Sequence, residues 1–392
     1  MSETADIIII GGGVMGASIA YHLAKQGGGQ VVLLERQALC TGTSGRSGAI
    51  VRQHYSNDFT IRMAKDSLAV FQHFDDVIGG DCGFLTTGMV IMTDMQGAEA
   101  LRANVKMQQE QGVDTQLIGP AEVSEAAPGY NGEGVELACY EPETGVADPM
   151  ATTHCFAKRA RDFGARIREG VTATQILTEG ERVTGVGTST GDIHAPIVVL
   201  AANVWSVELA QALGISLPIT PTRHPMTALR RPDDFGGRMG LHAVGLDLTR
   251  QIYLRPDIGG VTLVGSTENV FTPSDPDNYA QGLSEQEIVY FSTMAAGSIP
   301  ALARAVPRGG WAGIYDDTPD YHPILDRLAV YGGLYCAAGF SGHGFKLSPS
   351  VGKWMAQFIL TGKKPGDMQH FAYDRFNSGR EIRPRYSSGV LG

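Results

Sequence analysis

Cysteine is scarce in this chain of 392 residues. The five present (Cys40, Cys82, Cys139, Cys155, Cys336) are odd in number, widely spaced and without a C-x-x-C pair. That pattern argues against a disulfide framework or a zinc site, so no metal is expected and a reducing cytoplasm suits it. Positive charge is short as well: 31 Lys and Arg stand against 41 Asp and Glu, and no basic cluster appears. Phosphate backbones need a basic field, so a nucleic-acid partner is not expected. Long apolar runs are missing, the first spanning only Ile7 to Ile10, and the chain opens Met1-Ser2-Glu3 with an acid. Neither a signal peptide nor a membrane span is therefore expected, and the expected location is the cytoplasm. Repeats and low-complexity tracts are absent too. What remains is ordinary globular composition, 43% hydrophobic and 18% charged, with chain enough for two to three domains and a large core.

The most informative stretch runs from Asp6 to Arg36. Ile7 to Ile10 is β-branched and too short for a helix, which predicts a buried parallel strand. Gly11, Gly13 and Gly16 follow in G-x-G-x-x-G spacing. The first glycine makes the turn, the second admits a pyrophosphate, and the third lets helix pack on strand. Val14 and Met15 open a helix continued by Ala17, Ile19, Ala20 and Leu23, whose N-terminal amides face that phosphate. Val31 to Leu34 predicts a second strand with Glu35 and Arg36 at its end. A carboxylate there accepts ribose hydroxyls and repels a 2′-phosphate, so a dinucleotide other than NADP is expected. These residues alone leave FAD and NAD both open.

Downstream, Cys40 to Ser47 reads as a loop, Ala49 to Val51 as a strand, and Asp58 to Phe74 as a helix with Asp58 at its N-cap. Phe84 to Met92 reads as a strand and Ala98 to Gln109 as a helix. Turn residues crowd Leu117 to Asp148, predicting an irregular insertion or an inter-domain crossing. Asp148-Pro149 then starts a helix. Strands follow at Arg166 to Arg168, Ala173 to Thr178, Val183 to Thr188 and Ile193 to Leu200, the last running into Ala201, small enough for close approach to a ligand. Leu217 to Leu229 and Gln251 to Ser266 read as long strands. Ser284 and Glu287 form a capping box. Tyr331 to Ala338 is a strand leading to the glycine turn Gly339 to Lys346, and Ser350 to Leu360 is helical.

Four motifs together resemble the FAD-dependent D-amino-acid oxidase superfamily, in its sarcosine oxidase, dimethylglycine dehydrogenase and proline dehydrogenase β-subunit branch. They are the glycine fingerprint with Glu35; Arg46-Ser47-Gly48-Ala49-Ile50-Val51-Arg52; Gly310 to Tyr315 with Thr318 to Ile324; and Gly339 to Lys346. The resemblance implies a mixed α/β fold: a Rossmann-like FAD-binding domain over 1–80, 149–213 and 325–392, and a mainly antiparallel β-sheet substrate domain over 81–148 and 214–324. It also implies extended FAD, with its ADP part on Gly11 to Glu35. The ring would lie near Thr43, Ser44, Arg46 to Arg52, Gly313, and the turn with Gly339, Gly342, His343, Gly344, Phe345 and Lys346.

By the same resemblance, Arg52 and Lys346 hold a substrate carboxylate through a guanidinium fork and an ammonium. Tyr253 and His343 are implied near the ring, and His322 lies in a shared motif. Two departures matter. Monomeric sarcosine oxidases tether flavin through a cysteine that falls here at Gly313, so FAD is expected to be non-covalent. Their oxygen-activating lysine falls at Thr262 or Leu263, and their histidine near Thr267 or Glu268. The implied activity is oxidation of a C–N bond in a small secondary or tertiary amino acid by hydride transfer to flavin. The alternatives are a primary D-amino-acid or glycine oxidase, or a flavin subunit active only in a hetero-oligomer. A protein electron acceptor or partner subunit is implied accordingly.

Overall fold

The computed structural model describes residues 3–235, 240–268 and 273–383. The outer ends of the expected cofactor unit, 1–2 and 384–392, lie outside the described residues.

Six strands build the first sheet, in the spatial order Arg166–Glu169, Val31–Glu35, Ile7–Ile10, Ile197–Leu200, Leu334–Ala338, Ile324–Arg327. All neighbours are parallel except the last pair. Strand pleating sends alternate residues to opposite faces, and both faces are covered. Ile7, Ile9, Val31 and Leu33 pack with helices Val14–Lys25, Pro149–Asp162 and Gly344–Thr361. Ile8, Ile10, Val32 and Leu34 pack against a second layer that includes the meander Ala173–Glu179, Arg182–Thr188, Gly191–His194. Burial on both sides explains the unbroken apolar runs. From Ile7–Ile10 the chain turns to Val31–Glu35 on one side and receives Ile197–Leu200 on the other. Their carboxyl ends therefore frame a switch-point crevice, where open α/β sheets bind ligands.

An eight-stranded sheet stands beside it, in the order Val306–Asp317, Thr220–Arg230, Val261–Ser266, Ile252–Asp257, Val244–Asp247, Met89–Thr93, Leu137–Glu141, Gln116–Ile118. All its neighbours are antiparallel except Val244–Asp247 with Met89–Thr93. Helix Glu285–Ser298 contributes Phe291 and Ala295 to the core on one face, and helix Ala98–Glu110 contributes Leu101 and Val105 on the other.

Several local expectations need correction. Asn57, not Asp58, caps helix Asp58–Gln72, its side chain accepting from the Thr60 amide. The stretch 117–148 is irregular only in part, because strands Gln116–Ile118, Leu137–Glu141 and Gly145–Val146 lie in or beside it and pair with distant partners that no local pattern reveals. Gln251 to Ser266 is two strands turning at Ile258–Gly260, and Ile193 to Leu200 breaks at Ala195-Pro196. Phe84 to Met92 likewise splits into Leu85–Thr86 and Met89–Thr93 around Gly88. The helix expected from Ser350 begins at Gly344 and carries Pro349 in its first turns.

Candidate active site

A cleft of about 640 Å³ opens at the carboxyl end of the six-stranded sheet and extends to the eight-stranded one. Its floor starts at Gly11, Gly13, Val14 and Met15. Gly11 has φ +116°, and a Cβ there would meet the Ala201 carbonyl oxygen at 2.4 Å. Ala201 lines the same floor. Gly16 lies behind, where a Cβ would strike the Gly11 carbonyl at 1.9 Å, so helix and strand touch through it. Helix Val14–Lys25 has Gly13, without a side chain, as its N-cap residue and no acid in its first turn, an arrangement that favours an anion at its N-terminus.

Glu35, expected to accept ribose hydroxyls, is held by two backbone amides. Its Oε2 accepts from the Gly12 amide at 2.8 Å and its Oε1 from Gln37 at 2.9 Å, tying the glycine turn to the second strand. Arg36 also lines the cleft, but its guanidinium donates to Asp277 at 2.8 Å and lies 4.2 Å from the Trp205 ring.

The middle of the cleft is walled by Thr43, Ser44, Arg46, Ser47 and Gly48. Ser44 Oγ accepts from the Val14 amide at 3.0 Å, and Thr43 donates to the Ile314 carbonyl at 3.1 Å. Arg46 donates to Tyr279, to the Ala312 carbonyl at 3.0 Å and to Gln281 at 2.8 Å. Ala49 is buried below, in the left-handed region with φ +48°; Asn203 and Ser341, at two other cleft turns, share that conformation. Such strain in non-glycine residues gathers at ligand sites.

At the far end Gly313, Gly342, Gly344, Phe345 and Tyr253 line the wall. A Cβ on Gly313 would approach nothing closer than Arg46 Cβ at 3.4 Å. Gly339 does not line the cleft; its amide donates to Asp316 Oδ2 at 2.7 Å. Tyr253 donates to Met226 Sδ at 3.4 Å, and burial pushes its hydroxyl up to about 12. His224 and Tyr315, stacked at 3.6 Å, complete this end. Burial lowers the His224 imidazole to about 3, so it is neutral at physiological pH.

Arg52, His343 and Lys346 are buried together behind the wall and do not line the cleft itself. Arg52 Nη1 donates to the His54 carbonyl, and its guanidinium lies 4.5 Å from the Tyr55 ring centre. Lys346 Nζ is 5.9 Å from the same ring. Tyr55 Oη is 3.3 Å from His343 Nδ1, while His343 Nε2 is buried with no hydrogen-bond partner among the described residues. Burial, then the neighbouring Lys346 and Arg52, holds His343 well below the usual histidine range. Burial and Arg52 likewise hold Lys346 well below the usual lysine range.

His322 belongs to a different network. Its Nδ1 is 2.6 Å from the Asp320 carbonyl and its Nε2 3.0 Å from Asn57 Nδ2. Asp320 takes a bidentate, buried pair from Arg375 at 2.7 and 2.9 Å. The Thr318 to Ile324 motif thus fastens the C-terminal segment to the start of helix Asp58–Gln72.

The model of the family described as FAD dependent oxidoreductase matches residues 6–358. The chain belongs to that family. FAD is its cofactor, and the cleft fits one: a glycine turn with no room for a Cβ, a helix start without acids and a strand-end carboxylate. Sarcosine dehydrogenase, mitochondrial, of Homo sapiens is 26% identical over 98% of this chain and 43% of that protein. Sarcosine oxidase subunit beta of Arthrobacter sp is 29% identical over 99% of this chain and 95% of that protein. Among solved structures, L-proline dehydrogenase from P. horikoshii superposes with a TM-score of 0.90 and 30% identity, covering 98% of this chain and 100% of the other. Glycine oxidase from Geobacillus kaustophilus, 23% identical with a TM-score of 0.84, shares the fold. The chain spans less than half the length of the first curated relatives it matches, 42 to 46%. Among the described residues no helix is long and apolar enough to cross a membrane.

Sequence reasoning missed Trp205, Asp277, Tyr279, Gln281, His224, Met226 and Asp316, all in the cleft wall. Only Tyr315 had a signal, inside the Gly310 to Tyr315 motif. The others arrive from loops and strand faces whose inward residues no spacing distinguishes.

Proposed function

We propose that the protein oxidises the C–N bond of a small amino acid, preferentially one with a secondary or tertiary amine. The carrying observation is the burial of Arg52 and Lys346 against one Tyr55 ring immediately behind the cleft. Two cations are costly to bury together, and a substrate carboxylate between them offsets that cost. It would also restore the ammonium form of Lys346, which burial and Arg52 disfavour. The names of the relatives, which act on sarcosine or proline, support the same class of substrate.

When bound, FAD supplies the hydride acceptor. The glycine floor, Glu35, Thr43 to Gly48 and the start of helix Gly344–Thr361 would hold it non-covalently, since Gly313 offers no thiol. The chain's own task is orientation: Arg52 and Lys346 grip the carboxylate, which fixes the amine-bearing carbon against the cleft wall of Tyr253, Tyr315 and His224. Neutral His224 neither repels a substrate amine nor needs to lose a proton first. The two sheets would then act as a cofactor unit (1–80, 149–213, 325–392) and a substrate unit (81–148, 214–324).

A second reading keeps the site but makes the chain one subunit of a larger assembly, favoured by its match along 95% of a protein named as a β-subunit. Purified FAD-loaded protein is to be screened with sarcosine, dimethylglycine, L-proline, glycine and D-alanine under an artificial dye. Turnover of an N-alkylated or cyclic substrate above glycine and D-alanine supports the proposal. In Arg52→Ala the KM for that substrate should rise tens to thousands of fold, from about 2 to 5 kcal/mol lost with one partner of a charged pair. Unchanged KM overturns the carboxylate role.

A further inference from the structure

Behind the cleft lies a buried acid–base pair that the chemistry above does not use. Glu141 and His54 are both fully buried, with His54 Nδ1 2.9 Å from Glu141 Oε1. Glu141 ends strand Leu137–Glu141, and its Oε2 accepts from Thr144 Oγ1 at 3.2 Å. Gln108, on helix Ala98–Glu110, brings its amide 2.8 Å from the same His54 nitrogen. Ionic and polar groups of this kind are expensive to desolvate, and apolar residues of similar volume usually serve a core as well. A buried pair kept in spite of that needs another purpose.

Its surroundings supply one. The His54 carbonyl accepts from Arg52 Nη1, and the next residue, Tyr55, carries the ring against which Arg52 and Lys346 lie. The His54 side chain therefore anchors the peptide that holds Arg52, and the anchor comes from the other sheet. Among the described residues both Glu141 oxygens are turned to His54 and Thr144.

We infer that Glu141 and His54 form a positioning pair that sets the Arg52 guanidinium for carboxylate recognition. The inference rests on the Arg52 reading above. It makes His54 and Glu141 determinants of substrate binding although neither touches the cleft.

The test uses full-length, FAD-loaded protein and acetate, a carboxylate without an amine, titrated by the flavin absorbance change. KM and kcat for the substrate returned by the screen are measured alongside. His54→Leu should raise the acetate Kd and the KM together by at least about tenfold, with kcat within about threefold and FAD content unchanged. His54→Asn, whose amide nitrogen can stand near the Nδ1 position, should recover both to within about threefold of the parent. Glu141→Gln keeps an acceptor but not the charge, and should raise the acetate Kd by about three- to tenfold. Parental acetate affinity in His54→Leu, or an Asn variant as weak as the Leu one, overturns the positioning role. If His54→Leu does not fold, Glu141→Gln decides: an unchanged Kd overturns the pair. Arg52→Ala is run in parallel. Acetate binding that survives Arg52→Ala removes the Arg52 reading itself, whereas binding lost in Arg52→Ala but intact in His54→Leu removes only the relay.

Discussion

Asp316 offers the sharpest test of how the cleft wall is built. It lies near the end of strand Val306–Asp317, 2% exposed, with Oδ2 accepting from the Gly339 amide at 2.7 Å. Burial raises its carboxyl from 3.8 to about 7, overcoming backbone amides of the 339–340 turn that lower it. The folded state therefore holds this proton more tightly than the unfolded chain does. Its contribution is fully present below the unfolded value and is lost as pH rises through the folded one, that is, between about pH 4 and about pH 7. About three units at about 1.4 kcal/mol each give about 4 kcal/mol. Asp316→Asn keeps an oxygen for the Gly339 amide and has no charge to desolvate. Chemical denaturation of both proteins across that range, at equal saturating FAD, should show the parent losing about 4 kcal/mol relative to the variant from acid to neutral pH. Above neutrality the difference should stay constant. A gap that stays constant within about 1 kcal/mol throughout would refute the buried, charge-opposing setting assigned to Asp316.

Three further outcomes are expected. Glu35→Ala should weaken FAD retention and also lower stability, because two amides lose a charged acceptor worth about 1.5 to 3 kcal/mol each; Glu35→Gln should recover part of both, and equal melting temperatures for parent and Ala variant would contradict the tie to Gly12 and Gln37. FAD should leave the precipitated chain on acid or heat denaturation, since Gly313 offers no attachment, and yellow pellets after washing would disprove this. Reoxidation by dioxygen should be slow against an artificial dye, because neither Thr262 nor Leu263 itself carries a cationic side chain. Thr262 is buried, its Oγ1 2.8 Å from His242 Nε2 and accepting from Arg231 Nη1 at 3.3 Å, and Leu263 is core. Stopped-flow reoxidation in air as fast as turnover would show that a cation elsewhere stabilises developing superoxide.

The sequence by itself determined the elements that are written locally. Apolar runs of four or five residues, a glycine turn and a capping pair carry their own physics, so Ile7–Ile10, helix Val14–Lys25, Asp148 as N-cap and the Ser284–Glu287 box are readable without a partner. Motifs with fixed spacing likewise led to FAD and to most of the cleft floor. The tertiary structure decided whatever depends on which strand lies beside which. Strands such as Leu137–Glu141 and Gly145–Val146 look like turn-rich linker because their hydrogen bonds go to Met89–Thr93, Leu85–Thr86 and Ile50–Val51, far away in the chain. For the same reason no spacing announces that His54 meets Glu141 87 residues on, that Arg46 meets Gln281, or that Arg52 and Lys346 share one aromatic ring. A side chain's chemistry is set by what burial removes and what neighbours supply, and those neighbours come from other sheets and loops.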